Sequence, residues 1–308
     1  VYFWYLVYIT YNKVGRKVEI KGCKVKEWED LKEYTTIKIG GKCKFLVIPQ
    51  EIEGIKEAIK VSREENLPVT VIGNGSNVLF PDGNLEWMVL KITAPYFGEI
   101  LVEDNSLYVG GGVDVHKVIE FSVKEGLAGL EFLSGIPGKV GGVVVMNAGG
   151  YGRRVSEIIE SVEVMSMERG EVYTVGKEDC KFGYRESRFR KSEEIVLGVK
   201  FKVKKTTPQR VKEKVISILE DRKEKFPSSP SLGCIFKNPP TGSAGKLIEE
   251  GGLKGYRVGN VEVSLKHGNF IINKGEGKSE EVRKLIEIIR RKVFQEFKTY
   301  LSTEIVIL

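Results

Sequence analysis

Eight glycines fall within residues 129–152, in the run Gly129-Leu-Glu-Phe-Leu-Ser-Gly-Ile-Pro-Gly-Lys-Val-Gly-Gly142 and on through Asn147-Ala-Gly-Gly-Tyr-Gly152. Average usage would place about two there. Glycine costs more to order than any other residue, so a folded chain concentrates it where backbone turns sharply or approaches a ligand closely. N–H groups with no Cβ in front of them cradle phosphate oxygens well. Polar Ser134 and Asn147 flank apolar Ile136, Val140 and Val143 to Met146, which marks a buried, folded loop. A second turn, Gly73-Asn-Gly-Ser-Asn77, follows a β-rich run. On its own it is as readily an ordinary tight turn. Together the two could hold two phosphates, or one pyrophosphate between them.

Two common nucleotide signatures are missing. Gly73 and Gly75 are followed by Val78 where the dinucleotide fingerprint needs its third glycine. Gly277-Lys-Ser279 ends like a phosphate-binding P-loop, but Ile272 stands where the first glycine belongs. Cys23, Cys43, Cys180 and Cys234 form no CxxC pair and no zinc-ligand spacing, which points to reduced thiols and no metal.

These turns must be carried by regular elements. Residues 43–48 read as a strand closed by Pro49, and 51–65 show helical spacing through Ile52, Ile55, Ile59 and Ser62. Strands are expected at 67–72, 87–92, 99–103 and 106–109, then a helix capped by Asp114 and stopped near Gly126. Residues 161–166 and 171–175 form a hairpin. Ile195, Leu197, Val199, Phe201 and Val203 alternate as a strand buried on one face. A boundary falls near Lys204, after which Thr207-Pro208 opens a helix with an apolar side at Val211, Val215, Ile218 and Leu219. A short helix at 244–250, strands near Val261 and Phe270, a long helix at 279–297 and a closing strand at 303–308 complete an α+β chain.

The 308 residues are 41% hydrophobic and 30% charged, as in a soluble protein of two or three domains. The net charge of +7 implies an anionic partner. Lysine and glutamate alternate, however, as at Lys212-Glu213-Lys214, which describes solvated ion-pair faces rather than a nucleic-acid patch. Heavy Lys and Glu use with two histidines fits a heat-adapted protein. The apolar opening at residues 1–10 is too short to span a bilayer and lacks the features of a signal peptide, so a strand or a packed tail is expected.

The motifs named so far sit among others in a set order: Thr35-Thr-Ile-Lys-Ile-Gly-Gly41, Gly183-Tyr-Arg-Glu-Ser187, Phe236-Lys-Asn-Pro239, Ala244-Gly-Lys-Leu-Ile248, Gly252-Leu-Lys-Gly255 and Val263-Ser-Leu-Lys-His-Gly-Asn-Phe270. The chain beyond about residue 30 closely resembles the UDP-N-acetylenolpyruvoylglucosamine reductase (MurB) family. The resemblance implies an FAD-binding fold of the vanillyl-alcohol-oxidase (PCMH) type in two subdomains, residues 1–66 with 299–308 and residues 67–204. It also implies an α+β substrate domain at 205–298. NADPH would reduce the FAD, which would pass a hydride to UDP-N-acetylglucosamine enolpyruvate, giving UDP-N-acetylmuramate for peptidoglycan. The expected setting is a cytoplasmic monomer that binds no nucleic acid and no membrane.

The same resemblance assigns residues. FAD falls to Ile39, Gly73, Asn74, Gly75, Ser76, Asn77, Ser134, Gly135, Ile136, Pro137, Gly138, Gly141, Gly142, Asn147 and Ala148. Arg185 would stabilise the enolate carboxylate, where a guanidinium fork suits the developing charge. Without the resemblance it would read as a surface arginine paired with Glu186. Cys234 would give the proton, since a thiol is still mostly protonated near neutrality; alone it would read as an inert core residue. Glu304 would help polarise the carboxylate, and strand alternation puts it on one face with Val306 and Leu308. Tyr184, Lys225 and Asn238 would contact substrate, and His267 is either a site group or a structural histidine. The short stretch between Arg185 and Cys234 leaves no room for the tyrosine-bearing lid loop of the longer class, so the type II form is expected. Two rivals remain: a flavin oxidase of the same fold, which needs no proton donor, and a colourless basic nucleotide- or nucleic-acid-binding protein.

Overall fold

A computed structural model describes residues 18–308; the aromatic run at 1–10, expected as a strand or tail, lies outside the described residues. The first sheet takes Cys23–Asp30, Lys42–Pro49, Asn84–Lys91 and Val69–Ile72 in that order, antiparallel at the first pair and parallel thereafter. Helix α1 (Ile52–Glu64) makes the parallel crossover and buries Ile55, Ala58, Ile59 and Ser62, the periodic face seen in sequence. The turn 73–77 leaves the C-terminal end of strand Val69–Ile72, next to the other parallel strand ends. Ligand-binding turns of parallel sheets gather at this end.

The second sheet is antiparallel, with Val172–Gly176, Ile159–Ser166, Glu194–Lys202, Ser106–Gly110 and Ile100–Glu103 in order. Helices α2 (Val115–Glu125) and α3 (Val140–Val145) pack on it in one core with Val109, Val164 and Phe201. Strand Glu194–Lys202 departs from the expected single buried face. Its register against Ile159–Ser166 shifts between Glu163 and Val164, opposite Leu197. Ile195 and Leu197 enter the core shared with α1, whereas Val196, Val199 and Phe201 enter that of α2. A bulge changes which parity points to a given side, so one strand serves two cores.

The C-terminal sheet holds Ser231–Cys234, Phe270–Asn273, Val261–Val263 and Arg257–Val258. Behind it lie α5 (Ala244–Glu250) and α6 (Ser279–Phe297), which packs Val282, Leu285, Ile286, Ile289 and Val293 at 1% exposure or less. Each such side chain contributes about 1.5–3 kcal/mol by leaving water. Between these sheets in the chain comes α4 (Pro208–Lys225), which packs Val211 and Val215 into the α2–α3 core and is opened by Thr207, whose hydroxyl accepts from the Arg210 N–H. Its buried face is narrower than expected. Val211 and Val215 are buried, but Leu219 is 44% exposed, because the last turns of α4 lie over the glycine loop rather than on the core.

Two further expectations are corrected. Asp114 is the N-cap residue of α2, as expected, but its side chain makes no capping bond, because Lys139 and Asn74 take both of its oxygens. The tail 303–308 is not one strand. Val306–Ile307 pairs parallel to Val78–Leu79 and Thr303 makes an isolated antiparallel bridge to Phe236, while Glu304 sits in a bend between them with its N–H on the Ile235 carbonyl. Strand alternation therefore does not set the direction of Glu304. No helix among the described residues is long and apolar enough to cross a membrane.

Candidate active site

The two glycine turns meet. A Cβ on Gly138 would stand 3.5 Å from Ser76 Oγ, an ordinary van der Waals contact between the loops. Among the described residues the N–H groups of Asn74, Gly75, Ser76 and Asn77 donate to no other residue, and neither do those of Gly135 and Gly138. Gly75 has φ +58°, and a Cβ there would come 2.2 Å from the Tyr34 carbonyl, so only glycine lets this turn press against the chain at Thr35. Gly142 differs: a Cβ would meet no atom within 4 Å, so open space faces it. Ser134 Oγ is buried with no partner. Unpaired donors, an orphaned hydroxyl and open space above bare backbone fit a large ligand with anionic oxygens.

A cluster of charged side chains lies next to this cradle. Arg185 occupies a left-handed position (φ +55°) in the tight turn Gly183–Glu186, which aims its side chain at the C-terminal tail. Its Nε is 2.8 Å from Glu304 Oε1, with the side chains 20% and 15% exposed. That N–H is poorly aligned on the oxygen, which leaves a buried donor without a hydrogen-bond partner. The Arg185 Nη2 donates to the Gly149 carbonyl at 3.2 Å, inside the glycine segment. Burial pushes the Glu304 carboxyl above its ordinary range, against the pull of Arg185, Lys237 and Arg190.

Cys234 shares this environment. Desolvation first, then the Glu304 charge, push its thiol up to about 12, opposed by Arg185, Arg222 and Asn269. It ends the strand Ser231–Cys234, directly after Gly233 at φ +73°. A thiol so placed keeps its proton throughout the neutral range, as a proton donor must.

Comparison with known proteins agrees with this geometry. Residues 224–308 match the UDP-N-acetylenolpyruvoylglucosamine reductase C-terminal domain, and residues 43–176 match an FAD binding domain. The chain is 39% identical over 278 residues to the UDP-N-acetylenolpyruvoylglucosamine reductase of Clostridium botulinum, covering 90% of each. It is 38% identical over 295 residues to that of Geobacillus kaustophilus, covering 95% of this chain and 96% of the other. The chain belongs to the UDP-N-acetylenolpyruvoylglucosamine reductase family. The crystal structure of MurB from Thermus caldophilus superposes with a TM-score of 0.79 at 35% identity, covering 92% of this chain and 99% of that one.

As a MurB-family chain it is an FAD-containing oxidoreductase, and the matched FAD binding domain contains both glycine turns. Other sequence candidates are distributed around them. Asn147 is buried at φ +42°, its amide donating to the Gly183 carbonyl at 2.7 Å and accepting from Ser156 N–H. It thus braces the Arg185 turn. The N–H groups of Asn147 and Ala148 are spent on Val144 and Val143. Ile39 lies beside the cradle rather than in it. Its side chain is 1% exposed in the C-terminal core, and its N–H and carbonyl both bond the Thr35 hydroxyl. Asn77 spans three parts: its amide reaches Met146 Sδ at 3.3 Å and the Glu304 carbonyl at 3.4 Å.

Tyr184 and Asn238 come together, the Asn238 N–H donating to the Tyr184 hydroxyl at 3.3 Å. The Asn238 side chain accepts from the Ala244 N–H at 3.0 Å, tying it to the start of α5. Lys225 is mostly exposed on the last turn of α4, 2.5 Å from Asp221, whose other oxygen accepts from Tyr151 of the glycine segment. His267 stacks against Phe226 and Phe270 at 5.3 and 5.0 Å, and its Nδ1 accepts from the Asn269 N–H. Burial lowers its pKa, which describes a neutral packing histidine.

Sequence reading missed several cations. Lys237 pairs with Glu186 at 2.6 Å, and Arg190 donates to the Arg185 carbonyl at 2.8 Å. Arg222 lies over Phe226 and against Gly135, where a Cβ would meet its Nε at 2.8 Å. Lys237 could have been suspected from its place inside the Phe236–Pro239 motif. Arg222 carries no such mark. Between Arg185 and Cys234 the chain runs through strand Glu194–Lys202 and α4 with short links and no added loop.

Proposed function

We propose that this chain carries out the NADPH-dependent reduction of UDP-N-acetylglucosamine enolpyruvate to UDP-N-acetylmuramate, a step of peptidoglycan synthesis, as a cytoplasmic monomer. The observation that carries the reading is the joining of Arg185, Glu304 and a protonated Cys234 beside a cradle of unpaired N–H groups. FAD, when bound, supplies the hydride. The turns 73–77 and 134–142 hold its pyrophosphate and neighbouring groups.

The protein's own residues do the rest. Arg185 and Glu304 grip the enolpyruvyl carboxylate, the guanidinium receiving the charge that grows during reduction. The raised carboxyl of Glu304 can share a proton with that carboxylate, which polarises the double bond. The Cys234 thiol gives its proton to the carbanionic carbon. Tyr184, Asn238 and Lys225 contact the uridine diphosphate sugar in this reading. An oxidase of the same fold would have no use for a buried acid at 234, which favours the reductase.

The test is NADPH consumption by the purified yellow protein with and without the enolpyruvyl sugar nucleotide. Substrate-dependent turnover is expected, with about 10²–10⁴-fold loss in Cys234→Ala and intact NADPH-driven bleaching of the flavin. A colourless protein that takes up no FAD would sink the reading.

A further inference from the structure

Beneath the 73–77 turn lies a set of buried and half-buried charges that the proposed mechanism does not use. Lys139 is 6% exposed, although it sits within the second glycine turn. Its stem runs under the first, with Cγ 2.7 Å from where a Gly73 Cβ would be. Its ammonium reaches Asp114 Oδ2 at 2.8 Å, and Asp114 Oδ1 accepts from Asn74 Nδ2 at 2.8 Å. One ion pair therefore fixes both turns. From the neighbouring strand, Lys91 donates to the Gly73 carbonyl at 2.6 Å and lies 5.6 Å from the Tyr34 ring centroid. Lys91 forms no ion pair among the described residues.

The cluster thus holds two ammonium groups and one carboxylate. A half-buried ammonium without its own counter-charge is costly, and a second lysine beside it makes it more so. The missing negative charge is the kind a pyrophosphate brings, and the unpaired N–H groups of the same turn face that ligand. We propose that Lys91 and Lys139, clamped by Asp114 and Asn74, form a cationic base that shapes the 73–77 turn and balances the charge of the FAD pyrophosphate. They are positioning residues, acting through Gly73 and Asn74. The proposal rests on the flavin reading above.

Burial and Lys139 hold the Lys91 ammonium down at about 8, with Asp114 opposing. The groups facing the pair are Lys139, Asp114 with His116 acting on it, and the Tyr34 ring. FAD binding favours the charged form, so affinity should fall as pH rises through this value in the flavin-free protein.

The experiment is fluorescence titration of full-length, flavin-stripped protein with FAD, beside thermal melting of the flavin-free form. Lys91→Met should weaken FAD binding about tenfold at pH 7, while the flavin-free melting temperature stays level or rises because a half-buried charge is gone. The wild-type dissociation constant should climb several-fold between about pH 7 and 9.5, and the Lys91→Met profile should be flat there. Lys91→Arg, which keeps the charge, should bind within about threefold of wild type. Equal FAD affinity in Lys91→Met would overturn the proposal. So would weakening matched by a lower flavin-free melting temperature with the pH slope retained. A wild-type chain that binds no FAD would instead remove the flavin reading, and this proposal with it.

Discussion

Glu304 and Cys234 are each held in a state that solvent would not choose. The folded protein holds the Glu304 carboxyl above its ordinary 4.5. Ionising it therefore costs folded-state stability, beginning as pH rises through 4.5 and complete above the folded value. Glu304→Gln should raise the melting temperature by about 1–3 °C at pH 7–8, leave it unchanged near pH 4, and remove most turnover. An equal effect at both pH values would refute a buried-carboxylate cost. For Cys234 the raised value has a different consequence. A free thiol would lose its proton near pH 8.5, so a proton donor at that value would make turnover fall above it. With Cys234 held up to about 12, the kcat profile should stay level through about pH 9. A falling limb at pH 8.5 that vanishes in Cys234→Ser would show that burial does not control the acid.

At the scale of elements, two glycines in neighbouring turns separate shape from occupancy. Gly75→Ala forces a side chain into left-handed backbone and against the Tyr34 carbonyl. It should cost about 2–4 kcal/mol of flavin-free stability, read by denaturant unfolding. Gly142→Ala instead adds a methyl to open space within α3. It should leave flavin-free stability unchanged or raise it by up to about 1 kcal/mol, yet weaken FAD binding by filling the cofactor's volume. If Gly142→Ala binds FAD as well as wild type, the open face of α3 is not part of the cradle. The bulge at Leu197 belongs to this scale too. It lets one strand serve two cores, which brings the α2–α3 layer and the first sheet, with their two turns, into one body.

Across the whole molecule, the C-terminal tail closes the site. Leu301 and Ile305 pack into the C-terminal core, Val306–Ile307 pairs with Val78–Leu79, and the Asn77 carbonyl accepts from the Val306 N–H. Glu304 sits between these attachments, so the 73–77 turn and the Glu304 carboxylate share one support. Ending the chain after Glu304 keeps the carboxylate but removes the parallel pair and buried Ile305. FAD retention and turnover should then fall together, with about 2–4 kcal/mol lost from the C-terminal core. Normal FAD occupancy in that truncated chain would show the support to be dispensable. The hydrogen bond from Tyr151 to Asp221 is a second link, joining the glycine segment to α4 beside Lys225.

The sequence alone showed most of the long elements and the two glycine turns, and its ordered motifs, through the family they resemble, pointed to Arg185, Cys234 and Glu304. Helical spacing in α1 and α6, glycine density and the Gly-Tyr-Arg-Glu-Ser and Phe-Lys-Asn-Pro motifs are local patterns, and local patterns survive without a fold. What escaped it depends on distant groups. The Asp114 side chain was expected to cap α2, but a lysine 25 residues away competes for it and wins. Glu304 was assigned a strand face, but its direction comes from a bend fixed by Ile235 and Asn77. Arg222 reads as one more charge on an exposed helix until α4 is laid over Gly135. Nothing in the sequence marks Lys91 and Lys139 as partners until the fold brings both against Gly73. Charge state and burial are set by what the rest of the chain brings within a few ångströms, and only the tertiary structure decides that.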